Sequence, residues 1–214
     1  MKQVLINEYG NLKQLNIPVK KEKNRCVFNF ISGAFVEVLG PESKNYVVKF
    51  YDRDKEKLVY EHEITNNMWT RSNIQYFVNW NIKVIDKATN EVEFEHNYDT
   101  TDKRVYIHLD SSALGDTLAW FSYVDEFRKK HKCEVITSTF HNEWFDEQYP
   151  DLEFVKPGTQ VNGLYAMYTI GWHYNEDKTV NKLKIPIDFK QHPLGESATS
   201  ILGLKYNELK PKLV

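Results

Sequence analysis

The feature that most constrains the fold of this chain is a change in the spacing of its apolar residues near residues 99–103. From Cys26 to His96, β-branched and aromatic runs alternate with polar residues and are separated by turn-forming residues every ~8–12 positions. From Arg104 onward, a strand-like run is followed by apolar residues at helical spacing. The 214 residues are enough for two small domains. The sequence therefore predicts an α+β protein with domains at 1–102 and 103–214.

The first half carries strand patterns and no helix pattern. Its turns, such as Ser32-Gly33 and Asp86 to Asn90, contain residues that accept turn dihedrals. The predicted strands are Val27–Ile31, Phe35–Leu39, Tyr46–Tyr51, Leu58–Glu63, Ile74–Val78, Ile82–Ile85 and Val92–Glu95, with Val4–Ile6 as a further candidate. Strands of this number and length predict an antiparallel β-sandwich or barrel.

Aromatic residues are more numerous in this half than a small sandwich needs. We expect most of them to fill the core, and any exposed cluster would mark a binding face for a protein or glycan. These residues are Trp69, Tyr76, Phe77, Trp80, Phe94 and Tyr98.

The second half alternates strands with helices. Arg104–Leu109 is a predicted strand, and the helix predicted after it, from Leu114 to His131, has apolar residues at helical spacing and basic residues in its last turn. The remaining predicted elements are strands Glu134–Thr137, Glu153–Val155 and Leu164–Ile170, with helices at Asn142–Gln148 and Gly195–Leu202. This order predicts a Rossmann-like parallel sheet.

Charge, hydropathy and cysteine content exclude several classes of function. A net charge of −2 provides no basic field for nucleic acid or an anionic membrane. Mean hydropathy is −0.59, and the apolar runs are far shorter than the ~18 residues that span a bilayer. The N-terminal residues do not resemble a secretory signal, so we expect a cytoplasmic protein. Cys26 and Cys133 lack zinc-ligand spacing, and we predict no metal site.

The turn between the first strand and the first helix of the second half is the predicted site. Ligands of open α/β sheets bind outside the carboxyl ends of strands. Residues 109–118 hold neither a dinucleotide-binding nor a Walker motif, so NAD and ATP are disfavoured and no cofactor is predicted. Asp116 lies in the first helical turn, where the helix dipole favours an ionised carboxylate able to accept a proton. Taken alone, the pattern favours a simpler role for Asp116 as a helix cap.

Other residues near this turn carry similar alternatives. Ser111 and Ser112 either cap the helix or contact a substrate through their hydroxyl groups, and Asp110 has a weaker case. His141 follows the second strand and either lines the same cleft or is a half-buried histidine without function. Trp172 follows the fourth strand and either stacks on a sugar or packs at the rim of the core.

Several segments of the second half also resemble a known family. The segments are 108–120 (HLDSSALGDTLAW), 123–128, 140–145 (FHNEWF), 165–172 (YAMYTIGW), 192–195, 201–204 and 211–213. In order and spacing they are similar to the bacterial autotransporter heptosyltransferases, and the likeness is weaker over residues 1–102.

The resemblance implies the N-terminal half of a GT-B glycosyltransferase, in which two Rossmann-like domains face each other. It implies that a sugar from an ADP-activated donor, expected to be a heptose, passes with inversion to a hydroxyl of a protein or glycan. The Asp of Gly-Asp-Thr is then the base, which is Asp116 here. Substrate-binding roles are expected for Ser111, Ser112, Gly115, Thr117, His141 and Trp172, and self-association into a homo-oligomer is a further expectation.

The chain also departs from that family. It ends at Val214, where a second Rossmann-like domain should begin, and it lacks the metal-binding cysteine cluster that the resemblance places downstream. We therefore expect 214 residues alone to be a poor catalyst, because positioning donor against acceptor needs both halves of the cleft. The alternative is a non-catalytic binding or assembly module with a remnant half-Rossmann domain.

Overall fold

The computed structural model describes residues 4–6, 12–14 and 23–214. Strands β1 (Val4–Ile6) and β2 (Leu12–Gln14) pair with each other in antiparallel orientation. Residues 25–97 form two further antiparallel sheets, and residues 104–202 contain one parallel sheet and the helices. The predicted α+β class is confirmed, whereas the domain boundary at residue 102 stays a prediction.

The two larger antiparallel sheets each bury one side. One has the strand order β3-β4-β7 and the other β6-β5-β8-β9. Alternate residues such as Val36, Val48, Phe50 and Ile82 are fully buried, as expected of strands that cover a core on one side. The strands are β3 (Arg25–Asn29), β4 (Phe35–Leu39), β5 (Asn45–Asp52), β6 (Lys57–Thr65), β7 (Met68–Arg71), β8 (Trp80–Asp86) and β9 (Val92–Asn97).

The prediction of a strand at Ile74–Val78 was wrong. The main chain of this segment bonds to the second half of the protein, since Gln75 N donates to Leu183 O at 2.7 Å and Phe77 N to Ile201 O at 2.8 Å. Strand β7 instead pairs with β4 and forms the edge of the three-stranded sheet. It was missed because its apolar residue Trp69 is 57% exposed and the inward position is Thr70.

The parallel sheet contains four strands in the order β12-β11-β10-β13. They are β10 (Arg104–Leu109), β11 (Glu134–Ser138), β12 (Glu153–Phe154) and β13 (Ala166–Ile170), and every pair is parallel. In chain order this is 3-2-1-4, the arrangement of a doubly wound α/β sheet. It places the topological switch point between β10 and β13.

Within residues 104–202, three helices pack on one another. They are α1 (Leu114–Trp120), α2 (Ser122–His131) and α3 (Leu194–Leu202). Two of them also pack on this sheet, α2 against β11 and α3 against β13. The single predicted helix 114–131 is divided at Phe121, whose ring stacks on Phe145 with centroids 3.9 Å apart. The predicted helix at 142–148 is only one 3-10 turn, Asn142–Trp144. No helix within the described residues combines the length and apolar character needed to cross a membrane.

The antiparallel and parallel parts share one hydrophobic core. Phe30, just after β3, bonds to the outer edge of β13 through Tyr165 O at 2.7 Å and Met167 N at 3.2 Å. The buried hydroxyl groups of Tyr98 and Tyr168 meet at 2.8 Å. Most of the surplus aromatic residues lie buried or half-buried in the core, and Trp69 is the exposed one.

Candidate active site

The candidate site lies where β10 and β13 end, at the switch point of the parallel sheet. Asp110, the first residue after β10, donates its amide to Ile170 O, the last residue of β13, at 2.8 Å. The two strand ends are therefore held side by side. The turns that leave them carry Ser111 and Trp172.

Both turns converge on the carboxylate of Asp116. Ser111 Oγ donates to Asp116 Oδ2 at 2.6 Å, and Trp172 Nε1 donates to the same oxygen at 2.8 Å. Asp116 is half-buried, and among residues 23–214 no hydrogen bond or salt bridge reaches Oδ1. One carboxylate oxygen is thus fixed by the protein, and the other remains able to accept a proton from a substrate hydroxyl.

These contacts argue against the helix-cap role of Asp116. The N-cap residue of α1 is Ala113, and no side chain caps the helix. Ser111 Oγ instead accepts a hydrogen bond from Ala113 N at 3.2 Å, so this hydroxyl links the turn to the carboxylate. Asp116 is therefore oriented by side chains from two separate loops.

Trp172 is held by aromatic neighbours on both sides. Its ring meets Trp120 edge-on at 5.3 Å and Phe189 edge-on at 4.9 Å between centroids. The indole N–H is therefore fixed toward Asp116. The role of Phe189 was missed because residues 171–189 form a long irregular segment with no periodic pattern to place that ring.

The other predicted residues are placed as follows. His141 Nε2 donates to Ser112 O at 3.0 Å, which brings the β11 loop to the same turn. Ser112 and Gly115 are exposed, and a Cβ atom added to Gly115 would meet no atom within 4 Å. Thr117, in contrast, is fully buried and its hydroxyl donates to Ala113 O at 3.2 Å. The structure does not support Thr117 as a substrate-binding residue, because its hydroxyl faces the helix backbone.

Large apolar side chains are exposed on the loops around this edge of the sheet. They follow the carboxyl ends of the strands or begin the helices next to them, and each is at least 40% exposed. The residues are Leu114, Phe140, Tyr174, Leu183 and Leu194. An apolar rim around a polar centre is typical of a surface that meets another protein part or a ligand.

The chain is similar to several bacterial autotransporter heptosyltransferases. It is 30% identical over 200 residues to Aah of Escherichia coli and 31% identical over 201 residues to BAHTCr of Citrobacter rodentium. Each match covers 92% of this chain, but only 49% and 47% of those relatives. A third relative, BimC of Burkholderia thailandensis, is described as an inactive autotransporter heptosyltransferase; it is 28% identical over 87% of this chain and 43% of its own length. No protein-family model matches the chain.

Among solved structures, the chain is similar to TibC from enterotoxigenic E. coli H10407, described as an iron-containing dodecameric glycosyltransferase. The TM-score is 0.79 at 24% identity, over 93% of this chain and 51% of TibC. A second TibC structure, in complex with ADP-D-beta-D-heptose, gives a TM-score of 0.78 at 24% identity, over 94% of this chain and 51% of that one. At this identity the likeness shows the fold, and the chain spans about half the length of the proteins that it matches.

Proposed function

Because this chain is homologous to autotransporter heptosyltransferases over about half of their length, we propose that it carries the base-bearing half of such a transferase. The reaction is transfer of a heptosyl group from ADP-heptose to a hydroxyl of an acceptor protein. Asp116 is the proposed base. The relatives' descriptions and the ADP-heptose complex of TibC support the substrate class.

A single observation carries the proposed role of Asp116. The carboxylate is held through Oδ2 by Ser111 and Trp172, while Oδ1 has no partner among residues 23–214. A general base must be oriented and must keep an oxygen within reach of the proton that it removes. Both conditions are met at the switch point, where ligands of doubly wound sheets bind.

The proposed chemical step is an inverting displacement. The acceptor hydroxyl oxygen forms a bond to the anomeric carbon while the bond from that carbon to the diphosphate oxygen breaks. The hydroxyl proton passes to Asp116 Oδ1, and ADP leaves with the bonding electron pair. Ser111 and Trp172 act as positioning residues in this step, because their hydrogen bonds fix the plane of the carboxylate.

We further propose that residues 1–102 form a β-sandwich domain and 103–214 the first half of a GT-B cleft. The exposed apolar rim around Asp116 would then face the other half, which would supply most contacts to the nucleotide. Tested alone, the 214 residues should transfer slowly, because orientation of donor against acceptor would be lost.

The iron of TibC has no fitting site in the described part of this chain. Residues 23–214 contain no group of three His, Cys, Asp or Glu side chains placed to hold a metal ion. Cys26 and Cys133 lie in different sheet regions, and burial raises the pKa of each thiol to about 11. Thiols that stay protonated are poor metal ligands, so no step of the proposed reaction passes through iron bound here.

A second candidate function is a non-catalytic assembly module. The description of BimC as inactive favours it, since a relative of similar coverage is not assigned activity. In this case the chain would bind an acceptor protein, or other copies of itself as in dodecameric TibC, without transferring sugar. The two functions differ in whether Asp116 matters for transfer.

The test compares Asp116→Asn with Asp54→Asn in the complete enzyme that contains this sequence. Heptose incorporation from ADP-heptose into an autotransporter acceptor is followed by mass spectrometry. We expect Asp116→Asn to lower kcat by about 10²–10⁴-fold and the exposed Asp54 variant to match wild type. Transfer by Asp116→Asn within threefold of wild type would overturn the base assignment. Acceptor binding by a wild-type protein that shows no transfer would favour the assembly module.

A further inference from the structure

A polar cavity of about 210 Å³ lies between the ends of β10 and β13 and residues 25–97, the antiparallel region. The antiparallel region contributes Ile31, Ser32 and Gln75 to its walls. The main-chain N–H of Gln75 donates to Leu183 O at 2.7 Å, which joins this segment to the one that follows β13. The remaining walls come from the ends of β10 and β13 and the segment after β13: His108, Asp110, Met167, Thr169, His173 and Lys184.

The cavity and the Asp116 site share two stretches of main chain. Asp110 lines the cavity, and the next residue, Ser111, bonds to Asp116. His173 lines the cavity, and the preceding residue, Trp172, bonds to the same carboxylate. The turn after each strand therefore provides one residue to the base and the adjacent residue to the cavity.

The histidines of the cavity are neutral hydrogen-bonding groups at pH 7. Burial lowers the pKa of both His108 and His173. His173 Nε2 donates to Thr169 O at 3.0 Å, which leaves Nδ1 as an acceptor in the neutral ring. His108 Nε2 bonds to the hydroxyl of Thr169 at 2.7 Å. These contacts fix both rings against β13.

The charged groups of the cavity balance each other. Lys184 supplies one positive charge and Asp110 one negative charge, and Gln75 and Ser32 can both donate and accept hydrogen bonds. An anion such as a diphosphate would meet the carboxylate of Asp110. A neutral ligand with several hydroxyl groups, in contrast, could pair with every polar group on the walls.

The size of the cavity also limits the ligand. Its volume of about 210 Å³ is smaller than the ~300–1,000 Å³ typical of sites for drug-sized ligands. A single sugar ring is of the right scale.

We propose that this cavity is a monosaccharide subsite, completed by the antiparallel region through Gln75 and Ser32. The proposal rests on the proposed transferase function and names how one sugar unit is held by the two turns that also carry Ser111 and Trp172. The sugar is either the heptosyl unit of the donor or a sugar already present on the acceptor, since both offer the same hydroxyl groups. The antiparallel region thereby takes part in substrate recognition.

The test is a titration of the 214-residue chain followed by NMR of its seven histidine side chains. The probes are free D-glycero-D-manno-heptose, ADP-heptose and ADP alone. Single His→Asn substitutions assign the signals of His108, His173 and the exposed His62 and His192. Gln75→Ala tests the wall of the cavity, and Gln148→Ala, on an exposed turn of the other region, is its matched control.

We expect heptose to move the His108 and His173 signals with a Kd of about 1 mM, while His62 and His192 stay in place. Gln75→Ala should weaken this binding at least fivefold, and Gln148→Ala should not. A response to ADP-heptose at lower concentration than to free heptose identifies the donor sugar as the occupant, whereas a response to free heptose only identifies an acceptor sugar.

The proposal is overturned if neither sugar moves the two signals at tenfold higher concentration, or if all four histidines respond alike. It is also overturned if Gln75→Ala binds as tightly as wild type. The titration requires no transfer, so it can fail while Asp116 remains the base. In the same way, it can succeed in the Asp116→Asn chain if the base assignment fails.

Discussion

Replacement of Gly115 by alanine separates folding from function at the candidate site. Gly115 lies in the first turn of α1, is exposed, and has open space where a Cβ atom would stand. Its backbone is helical and does not have positive φ. Folding therefore gives no reason for a glycine here. The proposed transferase function gives one, since a glycine lets a substrate approach the backbone closely.

Gly115→Ala should make the folded chain more stable and should weaken catalysis. Alanine in a helix is more favourable than glycine by about 0.5–1 kcal/mol, which raises Tm by about 1–4 °C for a chain of this size. If a ligand packs against this turn, the added methyl group costs about 1–3 kcal/mol of binding. That cost should lower kcat/KM of the proposed transferase by about 5- to 150-fold.

The assay pairs thermal unfolding of the 214-residue chain with heptose transfer by the complete enzyme. Ala119→Gly, on the same helix, is the reverse control and should lower Tm while transfer is retained. A Gly115→Ala protein that is less stable than wild type would refute the inference of open space. A variant that transfers at the wild-type rate would refute the close approach of substrate.

Three further predictions concern contacts around the site and the core. Trp172→Phe removes the N–H donor to Asp116, so kcat should fall about 10-fold with little change in the acceptor KM; an unchanged kcat would remove Trp172 as a positioning residue. Gly203→Ala should lower the free energy of unfolding in urea by about 2–4 kcal/mol, because φ is +63° and the new Cβ would lie 2.1 Å from the Phe77 ring. Gly158→Ala, with φ +83° and no atom within 4 Å of the new Cβ, should lower the free energy of unfolding by only about 1 kcal/mol. If both glycine variants lost the same free energy of unfolding, the packing argument for Gly203 would be wrong. Burial lowers the pKa of His131 to about 4 in the folded protein. As pH falls below about 6.5, the imidazole of His131 therefore takes up a proton in the unfolded chain but not in the folded one. The free energy of unfolding should then fall by at most about 1.4 kcal/mol per pH unit down to pH 4. His131→Phe should flatten that part of the stability profile measured by urea unfolding, and an unchanged slope would show that His131 is not responsible.

The strands and helices were predictable where the apolar pattern is set by burial on one side. The bounds of β4 and β10 match the sequence prediction, and the helical spacing from Leu114 onward gave α1 and α2. Ile74–Val78 shows the limit of that reasoning. Its residues have strand propensity, but its main-chain partners are Leu183 and Ile201, more than a hundred positions away.

The candidate site was predictable to the extent that it is local. Asp116 and Ser111 are five residues apart on one turn, so a strand-to-helix pattern is enough to place them together. Trp172 is 56 residues from Asp116, and sequence reasoning could place it only at the correct edge of the sheet. Thr117 was predicted to bind substrate because of its position in the motif, but its hydroxyl donates to Ala113 O, four residues earlier in the chain.

The sequence by itself determined the two periods of apolar residues, the strand-to-helix turn, and a carboxylate in the first turn of a helix. These are properties of neighbouring residues, because side-chain direction along a strand or helix follows from local geometry. Only the tertiary structure decided that β13 lies beside β10, and hence that Trp172 fixes Asp116 while Asp110 and His173 face a cavity. Strand order depends on contacts between distant segments, and no local pattern encodes which partner a strand will have.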